Sequence, residues 1–233
     1  VQVRNSTGRV STEVDSDPGM AWDGPLAVLV NRYSASASEI FAAAIQDYER
    51  GVIIGQQTFG KGTVQNLYAL DQYMRSEDDK GFGQLTLTIG KYYRVTGEST
   101  QHRGVNPDIE LPSHINAELI GESVRDSALP WDTIATTRFR AGKPLDGAIQ
   151  SLAVGYEKRA KDDPNYRYQV DMIEAAEEMM SRKSLSLNID ARREEREQDL
   201  ESRLERENER RAALGLDPVE SLDDIEDEEI PDI

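Results

Sequence analysis

Three serines in five positions, Ser34, Ser36 and Ser38 of YSASASE, and one lysine between two glycines, Gly60-Lys61-Gly62, are the residues whose types and spacing suit covalent chemistry. A serine hydroxyl is a weak nucleophile near neutral pH. It needs a base to take its proton and donors to stabilise the oxyanion that follows attack. Residues 37–50 read as a helix because Ile40, Phe41, Ala44, Ile45 and Tyr48 recur at steps of three and four. A serine at the first turn of that helix gains free backbone N–H groups and the positive end of the dipole. Ser36 holds this place, with Glu39 as its partner in a capping box, and the Ala37 N–H is a candidate oxyanion donor. The same pattern also describes a plain capped helix entry, so local structure alone favours Ser36 without deciding among the three.

For the base, His102 and His114 are the two histidines, and both lie in polar turn contexts without an evident carboxylate partner. Lys61 is the better candidate, since flanking glycines let the backbone approach closely and a walled site favours the neutral amine that a base must be. An extended chain from Lys61 would put Thr63 and Gln65 on the same face, where the Gln65 amide could orient the amine without adding charge. The competing pattern is phosphate binding, because GQQTFGKGT follows a strand. There, however, Gly62 stands where the magnesium-binding hydroxyl belongs, and TVQNLYAL favours an extended chain over a helix. No cluster of histidines or carboxylates has metal-ligand spacing, and no metal or organic cofactor is expected.

YSASASEIFAAAIQDY, GQQTFGKGTVQ and YYRVTGESTQHRGVNPDIELP, in that order, resemble the tail-specific or C-terminal processing proteases of serine peptidase family S41, in particular the longer bacterial periplasmic form. The resemblance implies a Ser/Lys dyad with an assisting glutamine: Ser36 as nucleophile, Lys61 as base and Gln65 as its support. Glu39, Asp47 and Thr58 match further positions and are read as supporting. Asp47 lies eleven residues after Ser36, about 16 Å along a helix, so a structural role such as holding the loop around Thr58 is expected of it. The resemblance also implies an upstream signal peptide, a PDZ domain capturing apolar substrate C-termini by strand addition, and a glycine-rich stretch supplying a second oxyanion donor. None of these is found in the 233 residues, so a polypeptide of these residues alone is expected to be inactive.

The elements that must position these residues follow from the pattern. LAVLV, residues 26–30, reads as a strand buried on both faces, VIIG (52–55) as a second, and TVQNLYAL (63–70) as a third. Residues 71–83 read as an exposed insertion, and QLTLTIGKYYRV (84–95) as a strand with one face buried. The expectation is an α/β fold: the C-terminal part of a crotonase-like or ClpP-like protease core over residues 1–112, then a mainly helical extension over 113–233. Within that extension, residues 147–161 and 166–182 carry helical periodicity, and SLSLNI (184–189) is a strand or docking segment. Residues 191–215 form an exposed Arg/Glu helix, and 217–233 an acidic tail.

Composition bounds the function. The net charge of −17, from 27 basic and 44 acidic residues, argues against nucleic acid or an anionic membrane surface as partner. With no cysteine, thiol catalysis, disulfides and thiolate metal sites are excluded, while the compartment stays open. The sequence holds no apolar run of membrane-spanning length and no signal peptide, and Val1 reads as the middle of a longer protein, periplasmic by resemblance. A serine endopeptidase acting on proteins recognised at their C-terminus is therefore expected. The alternative is a non-catalytic module whose helical extension docks an adaptor protein.

Overall fold

The computed structural model describes residues 1–17, 19–73 and 81–225. The chain divides into two compact units, Val1–Leu111 with Ile115–Ile149, and Pro112–His114 with Gln150–Ile233. Most of the expected insertion and the last eight residues of the acidic tail lie outside the described residues.

In the first unit a parallel sheet forms from β3 (Ala27–Val30), β4 (Val52–Gly55) and β7 (Ile109–Glu110), with β4 in the middle. Helix α1 (Ala37–Asp47) makes the crossover between β3 and β4 that parallel pairing requires. Ala42 and Ala43, at 0% and 3% exposure, are small enough to bring α1 close to Val30, Ile53 and Val105, which close this core. An antiparallel sheet has the order β2 (Val10–Thr12), β1 (Gln2–Asn5), β6 (Gln84–Tyr93) and β5 (Thr63–Ala69). The mixed α/β class expected from the sequence is observed.

Two strands differ from expectation in burial. β3 is an edge strand and not a doubly buried one, and Leu29 is 76% exposed on its open face. β6 does not bury one face along its length. Its first half pairs only with β5 and is exposed, whereas Lys91, Tyr92 and Tyr93, flanked by both β1 and β5 or the loop before it, are all buried.

The helical part begins later than residue 113, at α2 (Asp146–Asp162). Residues 115–145 instead pack on the first unit. There Asp132 accepts from Arg4, from Lys91 Nζ at 2.5 Å and from the Tyr93 hydroxyl at 3.0 Å, and Trp131 Nε1 donates to the Ser99 carbonyl at 2.9 Å. Burial opposes charge on Asp132, but these donors outweigh it and hold its carboxyl below the usual range. Burial and then the hydrogen bond to Asp132 push the Tyr93 phenol up to about 12.

In the second unit, Asp163 caps α3 (Pro164–Ser181) by accepting from the Asn165 N–H at 2.9 Å, with Pro164 as the first helical residue. α4 (Ile189–Leu214) is stopped by Gly215 at φ 74°. It is less exposed than its Arg/Glu composition suggests. Arg210 and Glu207, both buried, pair at 2.7 Å, and Arg210 also reaches Asn165 Oδ1 at 2.8 Å and lies 5.4 Å from the Tyr168 ring. Residues 184–188 form no strand, and Leu185 and Leu187 are exposed. Among the described residues no helix is long and apolar enough to cross a membrane.

Candidate active site

Ser36 is the N-cap of α1 and, with Glu39, forms its capping box. Its backbone, φ 57° and ψ −109°, lies where L-residues rarely sit, at a cost of about 1–3 kcal/mol. Hydrogen bonds on both sides hold it there. The Ser36 N–H donates to Glu39 Oε2 at 2.8 Å, and its carbonyl accepts from the Tyr92 hydroxyl at 3.2 Å. Burial, followed by the charge of Glu39, raises Tyr92 above the usual phenol range, so Tyr92 stays a neutral donor.

The organising group is Glu39, fully buried, whose carboxylate accepts four hydrogen bonds. Oε1 takes the Thr58 hydroxyl at 2.5 Å and the Gly60 N–H at 2.7 Å, and Oε2 takes the Lys61 N–H at 2.9 Å beside that of Ser36. Sharing one oxygen, the Ser36 and Lys61 nitrogens lie within about 6 Å of each other. The nucleophile and base candidates, 25 positions apart in sequence, are thus fastened to the same carboxylate. The buried counter-charge is Arg32, which donates to the Thr58 carbonyl at 2.5 Å. Burial lowers its pKa, opposed by the charge of Glu39.

Lys61 is half-buried, and its two glycines are required by contact. The Gly60 carbonyl accepts from the His102 N–H at 2.8 Å, and at φ 91° a β-carbon on Gly60 would lie 2.8 Å from the His102 carbonyl carbon. A β-carbon on Gly62 would meet the Gln101 nitrogen, also at 2.8 Å. Gly60→Ala is therefore expected to lower stability by about 1–3 kcal/mol in thermal or chemical denaturation, and to slow cleavage by displacing Lys61.

The remaining expected residues divide. Thr58 is buried against Glu39, as a supporting residue would be. Ala37 is exposed at the first turn of α1, and its N–H has no acceptor among the described residues. Asp47 does not hold the Thr58 loop; Glu39 does. Asp47 instead receives Arg94, just past β6, with Nη2 at 2.5 Å and Nε at 3.0 Å, fixing the far end of α1. Gln65 is exposed and donates to Thr88 Oγ1 at 3.3 Å, with no described hydrogen bond to Lys61. The register with β6 shifts between Val64 and Gln65, where Ile89 of β6 is passed over and Gln65 comes to pair with Thr88.

Of the competing groups, Ser34 is a turn residue whose hydroxyl accepts from the Asn31 N–H at 3.2 Å, and Ser38 is exposed on α1. The His102 ring meets the Leu129 carbonyl at 2.8 Å, and His114 is exposed. No group of three or more His, Cys, Asp or Glu among the described residues could hold a metal ion. Sequence reasoning missed Tyr92, Arg32 and Gln101. Their signal was a polar or charged residue beside a motif, at positions that burial alone makes informative.

Residues 1–111 match the family described as peptidase family S41, and residues 115–232 the family described as C-terminal domain of tail specific protease (DUF3340). The chain is 42% identical over 236 aligned residues to the tail-specific protease of Haemophilus influenzae, covering 100% of this chain and 34% of that protein. It is 47% identical over 100 residues to the carboxy-terminal-processing protease of Bartonella bacilliformis, covering 43% and 21% of the two. A solved structure of a photosystem II D1 C-terminal processing protease aligns with 37% identity and TM-score 0.32 over 42% of this chain and 23% of that one. The chain thus spans about a third of the length of the relative it matches from end to end, 34%.

Proposed function

The chain belongs to the tail-specific proteases, a family of serine-type peptidases, and we propose that its site works as a Ser36–Lys61 dyad cleaving proteins recognised at their C-terminus. The observation that carries this reading is the Glu39 carboxylate, bound to the backbone N–H groups of Ser36 and Lys61 together.

Ser36 Oγ attacks the scissile carbonyl while the neutral Lys61 amine takes its proton. The oxyanion forms beside the Ala37 N–H, at the positive end of α1, where fixed donors need no reorganisation. Lys61 returns the proton to the leaving amine, and the C-terminal product departs. Lys61 then accepts a proton from water as it attacks the acyl-enzyme, and Ser36 leaves, reprotonated. Gln65 supports the amine when its side chain turns away from Thr88. No metal or organic cofactor takes part in these steps.

The full-length protein is read as a periplasmic endopeptidase for substrates with apolar C-termini, and residues 1–233 alone as inactive, because the family's C-terminus-binding PDZ module and second oxyanion donor fall outside the matched motifs. The exposed Leu185 and Leu187 favour a second, compatible role for the helical extension, adaptor docking. C-terminal recognition is tested by giving the full-length protein a peptide with an apolar free carboxylate and the same peptide amidated. Cleavage of the first is expected to be at least about tenfold more efficient, since a buried charge-assisted contact is lost with the second. Equal cleavage of both would refute recognition of the C-terminus and leave the dyad untouched.

A further inference from the structure

The loop carrying Lys61 is gripped from two directions. α1 holds it through Glu39, and the strand and turn beside it through the N–H groups of Tyr92 and His102, which donate to the carbonyls of Gly62 and Gly60 at 2.9 and 2.8 Å. A third grip comes from residues 115–131, beyond the part that matches the S41 peptidases, and it reaches the loop at three points on both flanks of Lys61.

At the first point, Arg32 Nη1 donates to the Thr58 carbonyl at 2.5 Å, while its Nε and Nη2 donate to the carbonyls of Ile120 and Ala117 at 2.5 and 3.1 Å. Gly121 leaves the room this needs, since a β-carbon there would lie 2.2 Å from Arg32 Nη2. At the second, the Glu122 N–H donates to the Phe59 carbonyl at 3.0 Å, and the Arg125 guanidinium lies 5.5 Å from the Phe59 ring. At the third, Gln101, 0% exposed, accepts the Gly62 N–H at 2.9 Å and donates through Nε2 to the Leu129 carbonyl at 2.9 Å and to Glu122 Oε1 at 3.3 Å.

Apolar packing alone would hold residues 115–131 in place without fixing a register. Buried hydrogen bonds are directional and costly to leave unmade, so these specify one position of the loop. Gln101 spans the gap with both ends of its amide: its acceptor faces the lysine loop and its donors face the covering stretch. We propose that Gln101 and Arg32 are positioning residues for the dyad, tying the Lys61 loop to residues 115–131 so that the amine meets Ser36 only while that stretch is seated. The inference rests on the Ser36–Lys61 reading.

The test uses the full-length protein and steady-state cleavage of a peptide, with the folded fraction measured at the assay temperature. Gln101→Leu keeps the volume but leaves the Gly62 N–H without its acceptor and removes a donor from the Leu129 carbonyl and from Glu122 Oε1. It is expected to lower kcat by about a hundredfold per folded molecule, the effect of misplacing a catalytic group by about 1 Å, with KM unchanged. Gly121→Ala pushes on Arg32 without touching Gln101 and is expected to lower kcat in the same way. Should Gln101→Leu not fold, Gly121→Ala decides on the same two constants. Normal kcat in the folded variants overturns the proposal, as does a loss that appears in KM alone or is accounted for by the unfolded fraction. Lys61→Ala run in parallel separates the two readings. Normal turnover by Lys61→Ala removes the dyad itself, whereas an inactive Lys61→Ala beside a normal Gln101→Leu removes only the positioning role.

Discussion

Replacing Ser36 or Lys61 by alanine is expected to lower kcat/KM of the full-length protein by at least about a thousandfold, with stability nearly unchanged in Lys61→Ala and lower by only about 1 kcal/mol in Ser36→Ala, which loses the side-chain cap of α1. The size follows from the division of labour. On the dyad reading no acyl-enzyme forms without Ser36, and without Lys61 the hydroxyl keeps its proton, the His102 ring being engaged with the Leu129 carbonyl. Losses from groups that act as one unit do not add, so the double variant should be no slower than the slower single one. Beyond that cap, stability is spared because both residues are anchored by backbone. Ser36 is held by its N–H and carbonyl and Lys61 by its N–H, and alanine keeps all three contacts. Matched melting curves and peptide turnover test this pair of expectations together.

Glu39→Ala is expected to do what neither of those variants does, removing activity and about 3–5 kcal/mol of stability at once. Four donors, the Thr58 hydroxyl and the N–H groups of Ser36, Gly60 and Lys61, would lose their acceptor in a fully buried place, and Arg32 would lose the charge that offsets its burial. The unusual backbone of Ser36 would also lose the bond that holds its N–H. Glu39→Gln should fall between. One amide oxygen still accepts, while the amide nitrogen is set against donors. Chemical denaturation gives the stability change and peptide cleavage the activity. A Glu39→Ala protein as stable as the parent would contradict the role given to this carboxylate.

The sequence made the parallel core legible because local signals agreed there: short apolar runs for β3 and β4, a helical period with a capping box for α1, and glycines flanking Lys61. Glu39 was visible as a capping residue. That the same carboxylate would also bind Thr58, Gly60 and Lys61 was not, since those contacts span 19 to 22 positions and depend on how β4 returns beside α1. The register shift between Val64 and Gln65, where β6 passes over Ile89, likewise leaves no composition signal. Residues 115–145 read as part of the extension, yet Asp132, Trp131 and the carbonyls of Ala117 and Ile120 bind them within the first unit. Such contacts use backbone groups and single side chains, which no periodicity announces.

The most direct test of the central claim is labelling of the full-length protein with a serine-directed fluorophosphonate, with the modified residue located by mass spectrometry. The dyad predicts modification at Ser36, and slower labelling by at least about a hundredfold in Lys61→Ala, because the reagent reports the activated hydroxyl. Labelling at Ser34 or Ser38, or equal labelling of Ser36 with and without Lys61, would contradict it.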